Sequence, residues 1–463
     1  VIIVAGEMTK DVKVMLGDPK KALFTMTGPL LISLAVGQIN SIVDTYWCSN
    51  LGLNALSAVG IVSSLYFLLN GIGNGLGLGI SISIARRIGA KEKSIAERIA
   101  SQGIVFIIAI SLVVTPLFLF FSNPIISMIG GGVAYSESIA YAHPYFLSGS
   151  VFFIHSIFAG LLRAEGAVKK SMIILILSVF LNLVLDPIFA FTLGLGIAGL
   201  SWASVVSTFL SALLAVYWYF IEHSTYIHPS FTSFRFERPL ITEFLRLGVP
   251  KMIELNIMSV INLWLVHFLI VGGGEVGVAL YNTTWKYVNL LLLPSHALGG
   301  GLVPICAAAY GSGDLKKVRD AYSFSLAVSL SITTAAALFV AIFSNQFAIL
   351  FTSSGSAMQL REGMAHTIRL FCIFIPFYGW INMSSSLLQA IYMADRSMYS
   401  TLIRNILLVI VFWYTSTLNL EAMWWGLIIC EILGGFLMGS IAEYGLRKRK
   451  AMLTRKPGLS AAY

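Results

Sequence analysis

MIILILSVFLNLVLDPIFAFTL, residues 172–193, is an apolar run broken by one carboxylate, Asp186, and one proline, Pro187. A bilayer is spanned by roughly 20 predominantly apolar residues in helical form. The run is therefore read as a membrane crossing, and Asp186 inside it needs a reason. Eleven comparable stretches surround it, giving spans at 22–48, 56–84, 99–121, 139–162, 172–193, 198–221, 244–271, 277–306, 321–343, 364–391, 398–417 and 422–446. Composition agrees: 57% of the 463 residues are apolar and 11% charged, with a mean hydropathy of +0.85, whereas a soluble domain carries about 25% charged residues. Runs of this length are helices, since barrel strands alternate over about 10 residues. The expected fold is an all-α polytopic membrane protein of twelve transmembrane helices.

The net charge of +9 raises nucleic acid as a partner, and the placement of the basic residues argues against it. Of 30 Lys and Arg, 27 fall in the N-terminal segment, in every second connection or at its helix ends, and in the tail; Lys286, Arg361 and Arg369 fall elsewhere. The positive-inside rule then puts both termini and the connections near 85–98, 163–171, 222–246, 310–320 and 392–397 in the cytoplasm, and the expected location is the plasma membrane. VIIVAG at the start lacks the basic front of a signal peptide, so the first span is expected to act as the insertion signal. Cys48, Cys306, Cys372 and Cys430 lie far apart without CxxC spacing and read as structural. No nucleotide motif, HExxH or DDxxD cluster is present, so no enzyme activity is expected.

The chain repeats itself faintly. TMTGPLLISLAVGQINSIV (25–43) is echoed by FLRLGVPKMIELNIMSVIN (244–262), about 221 residues on, placing Pro29 on Pro250; Gly89 falls on Gly311, and LLRAEGAVKKSM (161–172) returns as LLQAIYMADRSM (387–398), offset by 226. An even number of spans per copy sets a pseudo-twofold along the membrane normal. The expected domains are an N-terminal lobe (1–221), a cytoplasmic linker (222–243), a C-terminal lobe (244–446) and a basic tail (447–463).

The repeat isolates the polar residues. By the same offsets Asp44 corresponds to Leu265, Asn182 to Leu408 and Asp186 to Phe412. The second copy manages with hydrocarbon there, so the scaffold does not require the acids. A charge at mid-span costs about 2.5–3.5 kcal/mol on insertion scales and marks an ion or proton path. Asn40 with Asp44, and Asn182 with Asp186, are each spaced to share a helix face, and Pro187 leaves the carbonyl of Leu183 without its usual N–H. Such oxygens suit Na⁺, or one proton held between two acids. A buried hydrogen-bonded tie between two helices is the alternative. Lys251 and Glu254 read as a local ion pair; Glu431 and Lys286 are either a pair or face a cleft. His143, His155, His267 and His296 read as core histidines. Gly71, Gly75 and Gly79, with Gly73 and Gly77, form helix-packing stripes rather than a phosphate loop.

MLGDPKKAL (15–23), SIVDTYW (41–47), ARRIGAKEK (85–93), GLLRAEG (160–166) and LNLVLDPIFAFTLGLGIAGLSWAS (181–204) together resemble the multidrug and toxic compound extrusion (MATE) family, in its DinF-like archaeal and bacterial branch, over about residues 13–446. The resemblance implies two six-helix bundles and antiport of amphipathic, often cationic compounds against H⁺ or Na⁺ by alternating access, with no cofactor besides that ion. It implies coupling-cation binding at Asp44, Asn182, Asp186 and Ser204, a substrate cavity at Asn40, Tyr141 and Ser156, and bending of the first span at Pro29. Ser156 and Ala159 stand where close relatives carry asparagines. The expected partners are small amphipathic molecules and the lipid bilayer, with the chain a monomer; a flippase for lipid-linked saccharides or other lipids is the alternative.

Overall fold

The computed structural model describes residues 8–130, 134–232, 234–352 and 355–455; VIIVAG and the last residues of the basic tail lie outside them. Among the described residues there are fourteen α-helices and no strand: α1 (Lys10–Leu16), α2 (Pro19–Asn50), α3 (Leu53–Gly89), α4 (Lys93–Gly130), α5 (Tyr135–Leu147), α6 (Gly149–Ala164), α7 (Val168–Pro187), α8 (Ile197–Phe220), α9 (Arg238–Gly311), α10 (Leu315–Ile342), α11 (Ser344–Phe351), α12 (Arg361–Ala390), α13 (Ala394–Thr415) and α14 (Leu420–Arg455). Local chemistry sets the starts. Asp18 caps α2 by accepting from the Lys21 N–H at 2.9 Å, with Pro19 in the first turn where a missing N–H does no harm, and Asp314 caps α10 through Lys317 N–H in the same way.

Ten helices are individually long and apolar enough to cross a bilayer, and α5 with α6 make one further crossing bent by 52° at Ser148. At 74 residues α9 would reach about 110 Å if straight, against a bilayer core of about 30 Å. It breaks at Gly274, which has φ 59° and ψ −156°, and residues 258–265 and 281–289 on either side of the break line one cavity. The chain thus doubles back there, which brings the crossings to twelve. The break inside the fourth crossing and the short helices α1 and α11 were not expected from hydropathy, which is blind to bends and to helices lying outside the spans.

The packing forms two compact units. One runs to Asn256 and adds Ala307–Ser312; the other comprises Ile257–Cys306 and the chain from Gly313 on. The sequence division falls at 222–243, whereas the packing division falls inside α9. Small residues explain this. The α3 glycines let α9 approach so closely that a Cβ on Gly75 would meet the backbone of Met252, and one on Gly79 the backbone of Gly248. At the far end of α9, a Cβ on Gly311 would run into the Arg86 carbonyl, and one on Gly89 into the Ala308 carbonyl. These contacts are reciprocal across the repeat, because Arg86 and Gly89 each lie 222 residues before Ala308 and Gly311.

The repeat is also written in the backbone. Left-handed φ recurs at Lys91 (62°) and Gly313 (77°), and at Gly166 (77°) and Tyr392 (62°), while Gly52 (109°) is matched by Gly274 (59°). The turns persist although their residues differ.

The linker after α8 is not a free tether. Lys170 Nζ donates to the Ser224 carbonyl at 2.7 Å, Ser101 Oγ accepts from Ser230 N–H at 3.0 Å, and Glu165 receives three donors: Tyr219 Oη at 3.2 Å, Tyr226 N–H at 2.8 Å and Ile227 N–H at 3.1 Å. All lie in the N-terminal unit.

Candidate functional site

The acids on α2 and α7 meet. Asn40 Nδ2 donates to Asp44 Oδ2 at 3.0 Å one turn along α2, and Asn182 Nδ2 to Asp186 Oδ1 at 2.9 Å one turn along α7. The spacing read from the sequence therefore produces two amide–carboxylate pairs. The helices pack together, and the two carboxyl groups lie within direct interaction range of each other. Asp186 is 1% exposed and Asn182 4%, while Asp44 and Asn40 are half-buried. Asp44 Oδ1, Asp186 Oδ2 and Asn40 Oδ1 are buried with no hydrogen-bond donor. Orphaned buried acceptors of this kind cost about 1–3 kcal/mol each. A proton or a cation between the acids removes that cost.

A polar chain leads away from the acids. Asn182 Nδ2 also reaches Ser204 Oγ at 3.3 Å on α8, Tyr145 Oη donates to Ser204 Oγ at 3.0 Å, and Tyr141 Oη lies 3.3 Å from Tyr145 Oη. Tyr66 of α3 packs its ring at a tilt against Tyr145 with centroids 4.7 Å apart, and Phe152 closes on both rings. The arrangement joins the paired carboxyl groups to an aromatic wall. After Pro187 the backbone widens into a π-helical turn, Ile188–Thr192, a feature often found beside functional sites.

Asn40, Asp44, Asn182, Asp186, Ser204 and Tyr141 thus come together. Ser156 lies at the α3–α6 contact instead, donating to Asn74 Oδ1 at 3.2 Å. Pro29 sits inside a helix that continues through it, with its carbonyl accepting from Ser33 Oγ, and it lies roughly 16 Å along the axis from Asn40. Tyr145 and Tyr66 were missed. The four-residue spacing of Tyr141 and Tyr145 carried the signal for the first, and nothing in the local sequence marks the second.

The counterparts in the second copy converge as well. Leu265, Leu408 and Phe412 are buried in one apolar cluster of the C-terminal unit. Duplicated positions thus meet in both units, with carboxylates in one and hydrocarbon in the other.

Lys251 and Glu254 are paired at 3.1 Å, and the four cysteines are free and buried. Glu431 pairs with Arg404 at 3.0 Å, both buried. The sequence tally counts Arg404 with the basic helix ends, whereas it lies ten residues into α13 and faces the protein interior. His143, His267 and His296 are exposed on their helices rather than set in a core. No group of three His, Cys, Asp or Glu suited to a metal occurs among the described residues.

The MatE family model matches residues 29–188 and 250–415, one copy in each half of the chain. The multidrug export protein MepA of Staphylococcus aureus (strain bovine RF122 / ET3-1) is 25% identical over 443 residues, 93% of this chain and 94% of its own length. A solved structure of a MATE in complex with MaL6 is 28% identical, with a TM-score of 0.92 over 96% of this chain and 100% of that one. A multidrug resistance MATE family transporter of the MOP superfamily, solved in an outward-facing conformation, is likewise 28% identical, with a TM-score of 0.92 over 96% of this chain and 99% of that one.

Proposed function

The chain belongs to the MatE family, and from that premise we propose that it is a multidrug exporter of the plasma membrane, driven by exchange of amphipathic, often cationic compounds for H⁺ or Na⁺. Members of the family are membrane transporters and not enzymes. One observation carries the reading: Asp186, buried, and Asp44, half-buried, 142 residues apart in sequence, come within interaction range of each other with an orphaned buried oxygen on each. Of the two ions, a proton suits the arrangement as it stands. Both asparagine amides already donate to the acids, and what the pair lacks is one donor shared between them.

In this reading the cation enters from outside and neutralises Asp44 and Asp186. Neutralisation releases the Asn40 and Asn182 amides from charged acceptors and weakens the hold of the site on a cationic compound. That compound leaves outward, and the cation leaves inward once the access changes sides. The relay from Asp186 through Asn182 and Ser204 to Tyr145 and Tyr141 couples the acids to the aromatic wall where an amphipathic body would rest. Both termini are cytoplasmic in this scheme, as the basic connections require, and the chain works as a monomer.

The test uses proteoliposomes with an imposed H⁺ or Na⁺ gradient and a fluorescent cationic dye. Asp44→Asn and Asp186→Asn each reduce gradient-driven export at least tenfold. Export by both variants at the rate of the parent protein would overturn the coupling scheme. A dye release that follows pH at constant Na⁺, and ignores Na⁺ at constant pH, assigns the proton.

A further inference from the structure

We propose that Glu137, at the outer end of α5, is the proton-collecting group that loads the Asp44–Asp186 pair from outside. The proposal rests on the proton-coupled reading of that pair. Between residues 22 and 85, 99 and 162, and 171 and 221, the Asp, Glu, Lys and Arg side chains are Asp44, Glu137 and Asp186. The crossings of the N-terminal unit and their outer connections thus contain three charged groups, and the acid pair accounts for two of them. A carboxylate kept in such surroundings marks an ion or proton path. The basic connections set the start of α5 on the outer side, and Glu137 lies in its first turn.

The carboxyl group is placed for that role. Glu137 is half-buried, and its Oε2 is enclosed with no hydrogen-bond donor. An acid in a first helical turn ordinarily serves the free N–H groups and the dipole there, and this oxygen accepts from none of them. Tyr135 and Ser136 are exposed, whereas Glu137, Tyr141 and Tyr145 follow at four-residue steps along one face of α5. Helical side chains tilt toward the N-terminus, so the Tyr141 ring lies over the turn that carries Glu137. From Tyr141 the hydroxyl line runs to Tyr145 at 3.3 Å and on to Ser204 at 3.0 Å. Glu137 stands about 12 Å along the axis from Tyr145, and Tyr141 lies within electrostatic range of Asp44.

No other charge competes for the proton on this side. The helices α3, α4 and α8 pack against α5, and the chain carries no Asp, Glu, Lys or Arg at 54–85, 99–130 or 197–220. The titratable groups around Glu137 are Tyr66 on α3 and, on α5 itself, Tyr135, Tyr141, Tyr145 and His143, whose Nε2 lies 3.4 Å from Asn123 Oδ1 of α4. The transfer balances. Glu137 takes one proton from outside water, each tyrosine hydroxyl accepts one proton and passes on its own, the acid pair ends with the added proton, and Glu137 returns to carboxylate.

The test uses the purified full chain in nanodiscs with a fluorescent cationic dye and reads two quantities: dye bound at equilibrium from pH 5 to pH 9, and the rate of dye release by stopped flow after a jump from pH 8 to pH 6. Glu137→Gln keeps the parental equilibrium midpoint and slows release at least fivefold. Imidazole, a small mobile proton donor, restores the rate in proportion to its concentration, and Glu137→Asp stays within twofold of the parent. Equal release rates for Glu137→Gln and its parent would overturn the proposal. Slow release that imidazole does not restore would overturn it as well, by placing Glu137 in the helix framework, and so would a shifted equilibrium midpoint, by reducing its role to a fixed charge. A parent chain whose equilibrium dye binding ignores pH removes the coupling reading and this proposal together, whereas equal rates with the titration intact remove this proposal alone.

Discussion

At the scale of single residues, three buried ionisable side chains behave in ways their neighbours dictate. Glu165 sits in the turn between α6 and α7, outside the spans, where burial outweighs its three hydrogen-bond donors and the nearby Lys170 and pushes its carboxyl up from the ordinary 4.5 to about 7. Between those pH values the folded chain keeps the Glu165 proton and the unfolded chain does not. Stability conferred there is therefore complete below about pH 4.5 and lost as pH rises to about 7. Glu165→Gln removes this dependence. Glutamine keeps a carbonyl for the Tyr226 and Ile227 N–H groups, so the variant gains on the order of 1–3 kcal/mol over the parent between pH 5 and pH 8, read as a thermal midpoint in detergent; equal pH slopes for the two proteins would refute it. Arg404 and Glu431 make the opposite case. Arg404→Met leaves Glu431 as an uncompensated buried charge and is expected to destabilise by about 3–5 kcal/mol, whereas Arg404→Met with Glu431→Leu recovers most of the loss. Thermal midpoints of the single and double variants decide it, and a double variant no better than the single refutes the pairing argument. The Glu431 partner was not legible in sequence. Arg404 lies 27 residues away on a neighbouring helix, close enough to a basic connection to be tallied with it.

At the scale of elements, helix length and polarity were legible and helix shape was not. Runs of apolar residues fix where crossings begin and end to within a few residues, because unsatisfied backbone is excluded from hydrocarbon. The 52° break between α5 and α6 and the π-helical turn after Pro187 depend on how neighbours satisfy the loosened backbone, and a hydropathy window contains no neighbours. The glycine stripes were readable as packing surfaces, though not which helix they would receive. The α3–α9 contact yields a prediction. Gly89→Ala and Gly311→Ala place a methyl group against a backbone carbonyl that has no rotamer to yield, so each destabilises by about 1–3 kcal/mol, while Gly37→Ala, with open space around it, does not. Thermal midpoints in detergent test this, and Gly89→Ala as harmless as Gly37→Ala would refute the close contact.

At the scale of the whole molecule, duplication is the organising fact. Two copies share turn positions and left-handed residues at offsets of 222 and 226, yet one lines its central positions with carboxylates and amides and the other with hydrocarbon. The basic connections predict a direction across the membrane. Lys169→Cys, exposed in the first turn of α7 just after Glu165, is expected to escape a membrane-impermeant maleimide on intact cells, and Leu195→Cys, exposed in the turn before α8, to react with it. Permeabilised cells should label both, over a low background because the native cysteines are buried; the reverse pattern would invert the topology. Sequence by itself determined the membrane class, the all-helical fold, the duplication and the presence of Asp44 and Asp186 in one copy, since each follows from residue type and spacing along a single chain. Tertiary structure alone decided that those acids come within interaction range of each other, that Ser204 links Asn182 to Tyr145 and Tyr141, that Ser156 turns to Asn74, and that Arg404 neutralises Glu431. Each of these depends on which helices lie side by side, and the free energy that sets such neighbours is spread over many small apolar contacts that leave no motif in the chain.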